Sequence, residues 1–277
     1  MSDHEDGSDA PWSSQQGTIK FIEFPVRKPD MSRRAFHLYW QRHHSPHVMN
    51  VTGFSQFMRK YMTAHVDAPG QAGLPPHLQV VSHFEGVGEV WLNSLDDATT
   101  WLSHPLYAEL IAPDESRFLD QSGRGEVLVS REERLHDDGP DLEETGLTKL
   151  YIAARRREGL ERSQFHEAVS EYASGLLART PIPALLRRFV VSHRLPDPYP
   201  DWLPPTDTDV VFEMWFDCRE AMQQFLASDT GARFPTGGSS MFDESSLRAI
   251  VTRLNVVHDE FSFQSTTMQP RRFDWGE

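Results

Sequence analysis

Four histidines, a tryptophan and a proline crowd into FHLYWQRHHSPHVMN, residues 36–50. On a helix, His37, Trp40 and His44 stand at i, i+3 and i+7, with Phe36 and His47 close to the same stripe, so all of them can line one pocket. Imidazole is the side chain whose ordinary pKa lies nearest neutral pH, which makes His44 a candidate general acid or base. The competing reading is a structural histidine whose ring nitrogens tie a helix bend to a strand carbonyl, because a buried histidine needs partners whether or not it reacts. Pro46 removes a backbone donor and crowds the preceding turn, so the helix is expected to bend or end there and aim His44 inward.

Further groups could complete such a site. In RKYMTAH, residues 59–65, a strand would put Tyr61, Thr63 and His65 on one face and Lys60, Met62 and Ala64 on the other. His65 or Tyr61 could then bind a developing oxyanion, against the plainer readings of a structural histidine and a core aromatic. Glu89 and Trp91 lie on the run GEVWL; Trp91 is a candidate apolar wall, and Glu89 is either a surface residue or an unusual acid, since a strand glutamate turned inward is costly unless paired. Asp114 and Glu115 could orient a histidine from behind or simply cap a helical turn. The i, i+4 pair His43 and His47 has the spacing of metal ligands, but Pro46 interrupts it and no Glu follows the first His, so no metal is expected. The GVG at 86–88 precedes a strand rather than a helix, and no G-x-S-x-G elbow occurs, which leaves no support for a nucleotide cofactor or a serine hydrolase.

The elements that must position these residues come in two copies. TIKFIEFPVRKPDMSRRAFHLYW reads as a strand, a break at Pro29 and a helix capped by Ser32; TKLYIAARRREGLERSQFHEAVS repeats this from Thr148, with Ser163 near the helix start. RKYMTAH returns as RRFVVSH, GEVWLNSLDDATTWL as FEMWFDCREAMQQFL, and PDESRFL as FDESSLR, with EVLVSREERL and AIVTRLNVVH as closing strands. Each copy therefore reads β-α-β-β-α-β, and the expected fold class is α+β, two tandem ferredoxin-like repeats whose open sheet faces bury each other. The functional cavity would lie between the sheets or between a sheet and its helices. Expected boundaries are 1–16 for a loosely ordered N-terminus, 17–135 and 147–265 for the two domains, 136–146 for a polar linker and 266–277 for a tail.

The stretch from MSRRAFHLYWQRHHSPH through RKYMTAH and EGVGEVWLNS to PDESRFLD resembles the EthD family of the dimeric α+β barrel superfamily. Lys60 stands where that pattern has Arg before Tyr61. The resemblance covers about residues 18–135 well and the second half in outline. It implies a barrel formed within one chain. It also implies a choice of activities: accessory proteins of ether degradation, cofactor-free dehydratases, decarboxylases and cyclases, isomerases, and monooxygenases or haem enzymes. Fold alone does not choose among them.

The repeat itself helps to choose. Counting both halves from His65 and His193, His44 falls on Tyr172, Trp40 on Ala168 and Pro46 on Ser174, whereas His65 keeps His193 and Glu89 keeps Glu213. One functional cavity, in the N-terminal half, is expected. Composition agrees with a small apolar partner. With 41 acidic against 27 basic residues the net charge is −14, which opposes binding to nucleic acid or an anionic membrane. A single cysteine, Cys218, forms no intrachain disulfide, and no run of about 18 apolar residues occurs; a cytoplasmic protein is expected. The resulting expectation is a cofactor-independent lyase or isomerase acting on a small aromatic or ketide-like carbonyl compound, with His44, His65 and Tyr61 catalytic. Trp40, His37, Phe36, His47 and Trp91 would bind substrate, and Asp114 and Glu89 would act from behind. The alternatives are a non-catalytic binding or accessory protein of a catabolic pathway and a cofactor-free monooxygenase. Free strand edges could further support a homodimer.

Overall fold

A computed structural model of the protein describes residues 16–66, 74–80, 83–122, 125–138, 143–179, 185–195, 206–235 and 241–261. The chain runs β1 (Gln16–Phe24), α1 (Arg33–Tyr39), a π-helical turn (Trp40–His44), α2 (Ser45–Asn50), α3 (Thr52–Ser55), β2 (Lys60–Val66) and β3 (Gln79–Val80). It continues through β4 (Gly86–Ser94), α4 (Leu95–Leu102), a second π turn (Tyr107–Ile111), α5 (Ala112–Glu115) and β5 (Glu126–Asp137). The second half supplies β6 (Thr148–Arg156), α6 (Arg162–Arg179), β7 (Arg188–Arg194), β8 (Val210–Phe216), α7 (Arg219–Ala227) and β9 (Phe242–Asp259).

The expected fold class is corrected here. There are no two ferredoxin-like sheets buried face to face; the strands follow the order β2-β4-β1-β5-β7-β8-β6-β9, and β2 pairs with β9 to close a single eight-stranded antiparallel barrel. The reason lies in two long strands. The first part of β5 pairs with β1 (Phe24↔Glu126 to Lys20↔Ser130), and the rest crosses to β7 (Ser130↔Arg194 to Asp137↔Arg188). Likewise β9 pairs with β6 and then with β2, up to Lys60↔Asp259. Edges that would otherwise expose unpaired backbone are consumed in closure. Helices are few and short among the described residues: apart from α6, with 18 residues, none exceeds nine.

Alternation along the strands sorts side chains between lumen and outside. Ile22, Phe24, Met62, Ala64 and Trp91 join Tyr151, Val190, Val211, Trp215 and Leu254 in one cluster drawn from both halves, which is the lumen. Phe21, Tyr61, Val90 and Val129 instead pack outward under the first-half helices.

The lumen also holds charge. Lys20 Nζ lies 2.5 Å from Glu89 and from Glu213 and 3.0 Å from Glu132, and Lys149 Nζ lies 2.8 Å from Glu89 and 2.6 Å from Glu213. Glu89 thus points inward and is paired, neither on the surface nor an acid of raised pKa; its carboxyl also accepts a bond from the Tyr151 hydroxyl. Beside this network, Glu144 is buried, although its segment reads as a polar linker. It accepts from Lys60 at 2.5 Å, Arg188 at 2.6 Å and the Trp215 indole at 3.1 Å. Burial pushes Glu213 up to about 7, while the two ammoniums outweigh burial at Glu89 and hold it below its ordinary value. Two lysines thus face two ionised carboxylates, Glu89 and Glu132, and a third that keeps its proton to about neutrality.

Two further expectations change. Pro46 does not end the helix; the backbone widens into the π turn just ahead of it, where the Ser45 amide reaches Trp40 O, and goes on as α2. The Asp-Glu pair of the second half does not repeat that of the first, because Asp243 and Glu244 begin β9, whereas Asp114 and Glu115 belong to α5. Of the expected N-terminal segment 1–16, Gln16 opens β1 and residues 1–15 lie outside the described residues, as does the expected tail 266–277.

Candidate functional site

A cavity of about 440 Å³ lies between β1, β2 and β4 and the helices that cover them, and the described residues that line it run from Phe21 to Val127. Its walls are largely aromatic: Phe21, Trp40, Phe54, Tyr61, Trp101 and Phe118. The exposed side chains of Thr99 and Ser103 mark its solvent side.

Both π turns frame it, and each is followed at once by a proline, Pro46 in α2 and Pro113 in α5. A proline cannot donate to the carbonyl four residues back and its ring crowds that carbonyl, so widening the preceding turn relieves both problems. The first π turn carries Trp40 and His44 into the wall; the second carries Tyr107 and leads to Asp114 and Glu115. His44 Nδ1 lies 2.8 Å from Asp114 Oδ2, and the Tyr39 hydroxyl donates to Asp114 Oδ1 at 2.5 Å. Burial would raise the Asp114 carboxyl, but the bonds from Tyr39 and His44 outweigh it and hold it below the ordinary value. Burial likewise lowers His44, although the Asp114 contact opposes this. At neutral pH His44 is therefore the neutral ring, donating Nδ1–H to a carboxylate and keeping Nε2 as a base.

A second titratable centre faces the same space. Glu23 on β1 and Glu115 both line it, and the Tyr107 hydroxyl donates to Glu115 at 2.9 Å. Burial, with the Glu115 charge adding to it, pushes Glu23 up to about 8, and burial raises Glu115 as well. Tyr61 also lines the cavity, 3.3 Å from Ser45 Oγ, and burial pushes it up to about 12.

Of the residues singled out from the sequence, the structure brings His44, Tyr61 and Trp40 to the cavity with Asp114 behind. The others lie elsewhere. His37 and His65 form a buried pair, Nδ1 to Nδ1 at 3.0 Å, with His65 Nε2 3.1 Å from Thr63 Oγ1 and His37 Nε2 3.8 Å from Glu85. Phe36 packs in a separate cluster with Trp40 and Phe118. His47 meets the Leu110 carbonyl at 3.1 Å. Trp91 sits in the lumen under the Lys20 ammonium, 4.5 Å from its ring centre, and Glu89 lies beside it. Sequence reading passed over Glu23, Tyr39 and Tyr107. Glu23 did leave a signal: it is the lone carboxylate in KFIEF, on the face that alternation gives to Ile19 and Phe21 rather than to Lys20. Among the described residues no group of three or more His, Cys, Asp and Glu is placed to hold a metal ion.

Strand register fixes which residues of the two halves correspond. Lys20 pairs with Trp91 as Lys149 pairs with Trp215, Glu23 with Gly88 as Ile152 with Phe212, and Tyr61 with Val90 as Phe189 with Met214. On the helix, Phe36-His37 matches Phe165-His166, so counting on from there puts Trp40 on Val169 and His44 on Ala173. These differ by one residue from the partners obtained by counting from the strands. Ile152, Val169, Ala173, Phe189 and Phe212 are all buried in one packed apolar core. By contrast the His37–His65 pair has its counterpart in His166 and His193, ring centres 4.8 Å apart. Even the flanking ion pairs return: Arg33 on Glu85 matches Arg162 on Asp209. A feature built into both halves is bracing, which is how we read His37 and His65.

No curated protein matches the chain. Solved structures of similar fold include a candidate monooxygenase from Fusobacterium nucleatum (TM-score 0.53, 6% identity, 88% of this chain and 95% of that one) and an anthrone oxidase-like protein (0.52, 9%, 90% and 97%). A candidate monooxygenase from Lactobacillus acidophilus is a third (0.50, 8%, 88% and 97%). At these identities the likeness is one of fold. The family model for the EthD domain matches residues 28–122, the segment that supplies most of the cavity wall, with His44, Tyr61 and Asp114.

Proposed function

We propose that the chain binds a small apolar carbonyl compound, aromatic or ketide-like, in this cavity and moves a proton at the carbon next to the carbonyl, as a cofactor-independent lyase or isomerase. The observation that carries the reading is His44 in the wall of a largely aromatic cavity, bonded to Asp114 at 2.8 Å. A carboxylate behind Nδ1 fixes the tautomer that leaves Nε2 basic and stabilises the imidazolium once it has taken a proton. The wall around His44 is largely aromatic, so charge developing on a substrate oxygen held against it is felt by nearby donors, of which the Tyr61 hydroxyl is one. Trp40 supplies apolar surface.

The test begins with a thermal-shift panel of small aromatic ketones and phenols, followed by turnover of any stabilising compound by the wild type, His44→Ala and Asp114→Asn. Loss of turnover by 10²-fold or more in His44→Ala, with binding kept, supports proton transfer. Equal turnover in both refutes it, and binding without turnover by the wild type leaves a binding protein. A second reading is suggested by the names of the solved neighbours: the same deprotonation followed by reaction with dioxygen. Product formation that stops under nitrogen would select it.

A further inference from the structure

Glu23 is the group in the cavity that the reading above leaves unused. Its carboxyl lies against Gly88: a Cβ at that glycine would stand 3.5 Å from Glu23 Oε2 and 3.6 Å from the Trp40 ring. No described residue donates a hydrogen bond to it or pairs with it. The groups that act on it are Glu115 from α5, Tyr61 from β2 and Tyr107 from the second π turn, with His44 on the same cavity wall. None of these is a cation at neutral pH, and no Lys or Arg is among the described residues that line the cavity. A half-buried carboxyl in an apolar wall with no counter-charge holds its proton more tightly, and a protonated carboxyl is a donor in search of an acceptor.

We propose that Glu23 is the proton donor of the reaction, handing its proton to the substrate's carbonyl oxygen while His44 removes one from the adjacent carbon. This rests on the reading of the site given above and adds its second half. In the step, His44 Nε2 takes the proton, the C–H electron pair becomes the C=C bond of the enol, and the carbonyl π pair moves to oxygen. The oxygen takes the Glu23 proton. His44 ends as imidazolium and Glu23 as carboxylate, so the charge of the site is unchanged, and proton return from His44 to Glu23 resets it. Environments that push His44 down and Glu23 up to about 8 give the pair its division of labour near neutral pH. The substrate class follows: an uncharged carbonyl compound, because no Lys or Arg among the described lining residues would receive a carboxylate.

The experiment uses 2-tetralone, an aromatic ketone with readily exchanged protons next to its carbonyl, in deuterated buffer, with exchange followed by proton NMR and binding by tryptophan fluorescence. The wild type should accelerate exchange, with a rate that falls above about pH 8 as Glu23 ionises. Glu23→Gln should bind the ketone yet lose at least tenfold in rate and lose that alkaline fall; 2-naphthoate should not compete. A Glu23→Gln protein with the wild-type rate and profile overturns the donor role while leaving His44 in place. A His44→Ala protein with the wild-type rate overturns the base and not the donor. A wild type no faster than buffer overturns both. Should Glu23→Gln not fold, the wild-type profile decides, and a rate that stays level through about pH 9 overturns the proposal.

Discussion

Lys149→Met tests whether the barrel is held by a balanced set of buried charges. The Lys149 ammonium lies 2.8 Å from both oxygens of Glu89, 2.6 Å from Glu213 and 3.6 Å from the centre of the Trp215 ring, and it is fully buried. Methionine keeps roughly the volume but deletes the charge, leaving Lys20 alone among Glu89, Glu132 and Glu213. Removing one partner of a buried pair costs about 3–5 kcal/mol, because the remaining charge is neither solvated nor paired. For a chain of this size that is a fall in Tm on the order of 10 °C. The informative variant is the double, Lys149→Met with Glu89→Gln, which restores balance with Lys20 against Glu132 and keeps an acceptor for the Tyr151 hydroxyl. It should recover at least about 1 kcal/mol relative to Lys149→Met, measured from urea midpoints at pH 7 through a double-mutant cycle. If Lys149→Met lies within about 1 kcal/mol of the wild type, or the double variant is no more stable than the single, the charges are not coupled in a dry lumen and the reasoning fails.

Two glycines two residues apart should behave differently. Gly86→Ala would drive a Cβ into the Ala64 carbonyl and should cost about 1–3 kcal/mol, whereas Gly88→Ala meets only ordinary contacts and should fold as well as the wild type while narrowing the cavity; thermal melts separate them. Glu23 has a folded pKa of about 8 against 4.5, so the unfolded chain releases its proton first as pH rises: stability is full below about pH 4.5 and declines toward pH 8. Glu23→Gln removes that decline and should be the more stable protein at pH 8 by roughly 2–4 kcal/mol, a figure discounted from the full shift because water reaches the cavity, and parallel stability–pH curves for the two proteins would refute it. Asp114→Asn should lower the His44 pKa further and slow any proton transfer at least tenfold without closing the cavity, read from histidine NMR titration beside turnover.

The helix carrying Trp40 and His44, the alternation along RKYMTAH and the repeat were legible because each is local or compares two stretches of one chain. Barrel closure was not. It depends on which edge accepts the far ends of β5 and β9, and nothing in EVLVSREERLHD or FDESSLRAIVTRLNVVHD marks where a strand changes partners. The lumen charges were half legible: an inward glutamate demands a partner, and Glu89 has two, but Lys20 and Lys149 read as ordinary strand lysines until register sets each against Trp91 or Trp215. Glu23 was passed over because its character comes from a neighbour on another strand, the missing side chain of Gly88.

The residues kept between the halves and those changed fall in different places. Lys20 and Lys149, Glu89 and Glu213, Trp91 and Trp215 occupy the lumen, and the two histidine pairs brace helix to strand. The changed set, Glu23 against Ile152, Trp40 against Val169, His44 against Ala173, Tyr61 against Phe189 and Gly88 against Phe212, lines the cavity on one side of the barrel and fills a core on the other. The second half shows that this backbone accepts a fully apolar packing here, which buries more surface and leaves no carboxyl without a partner. The first half gives up that stability at five positions that share one space, which is what selection for a ligand would leave behind and what selection for folding alone would not.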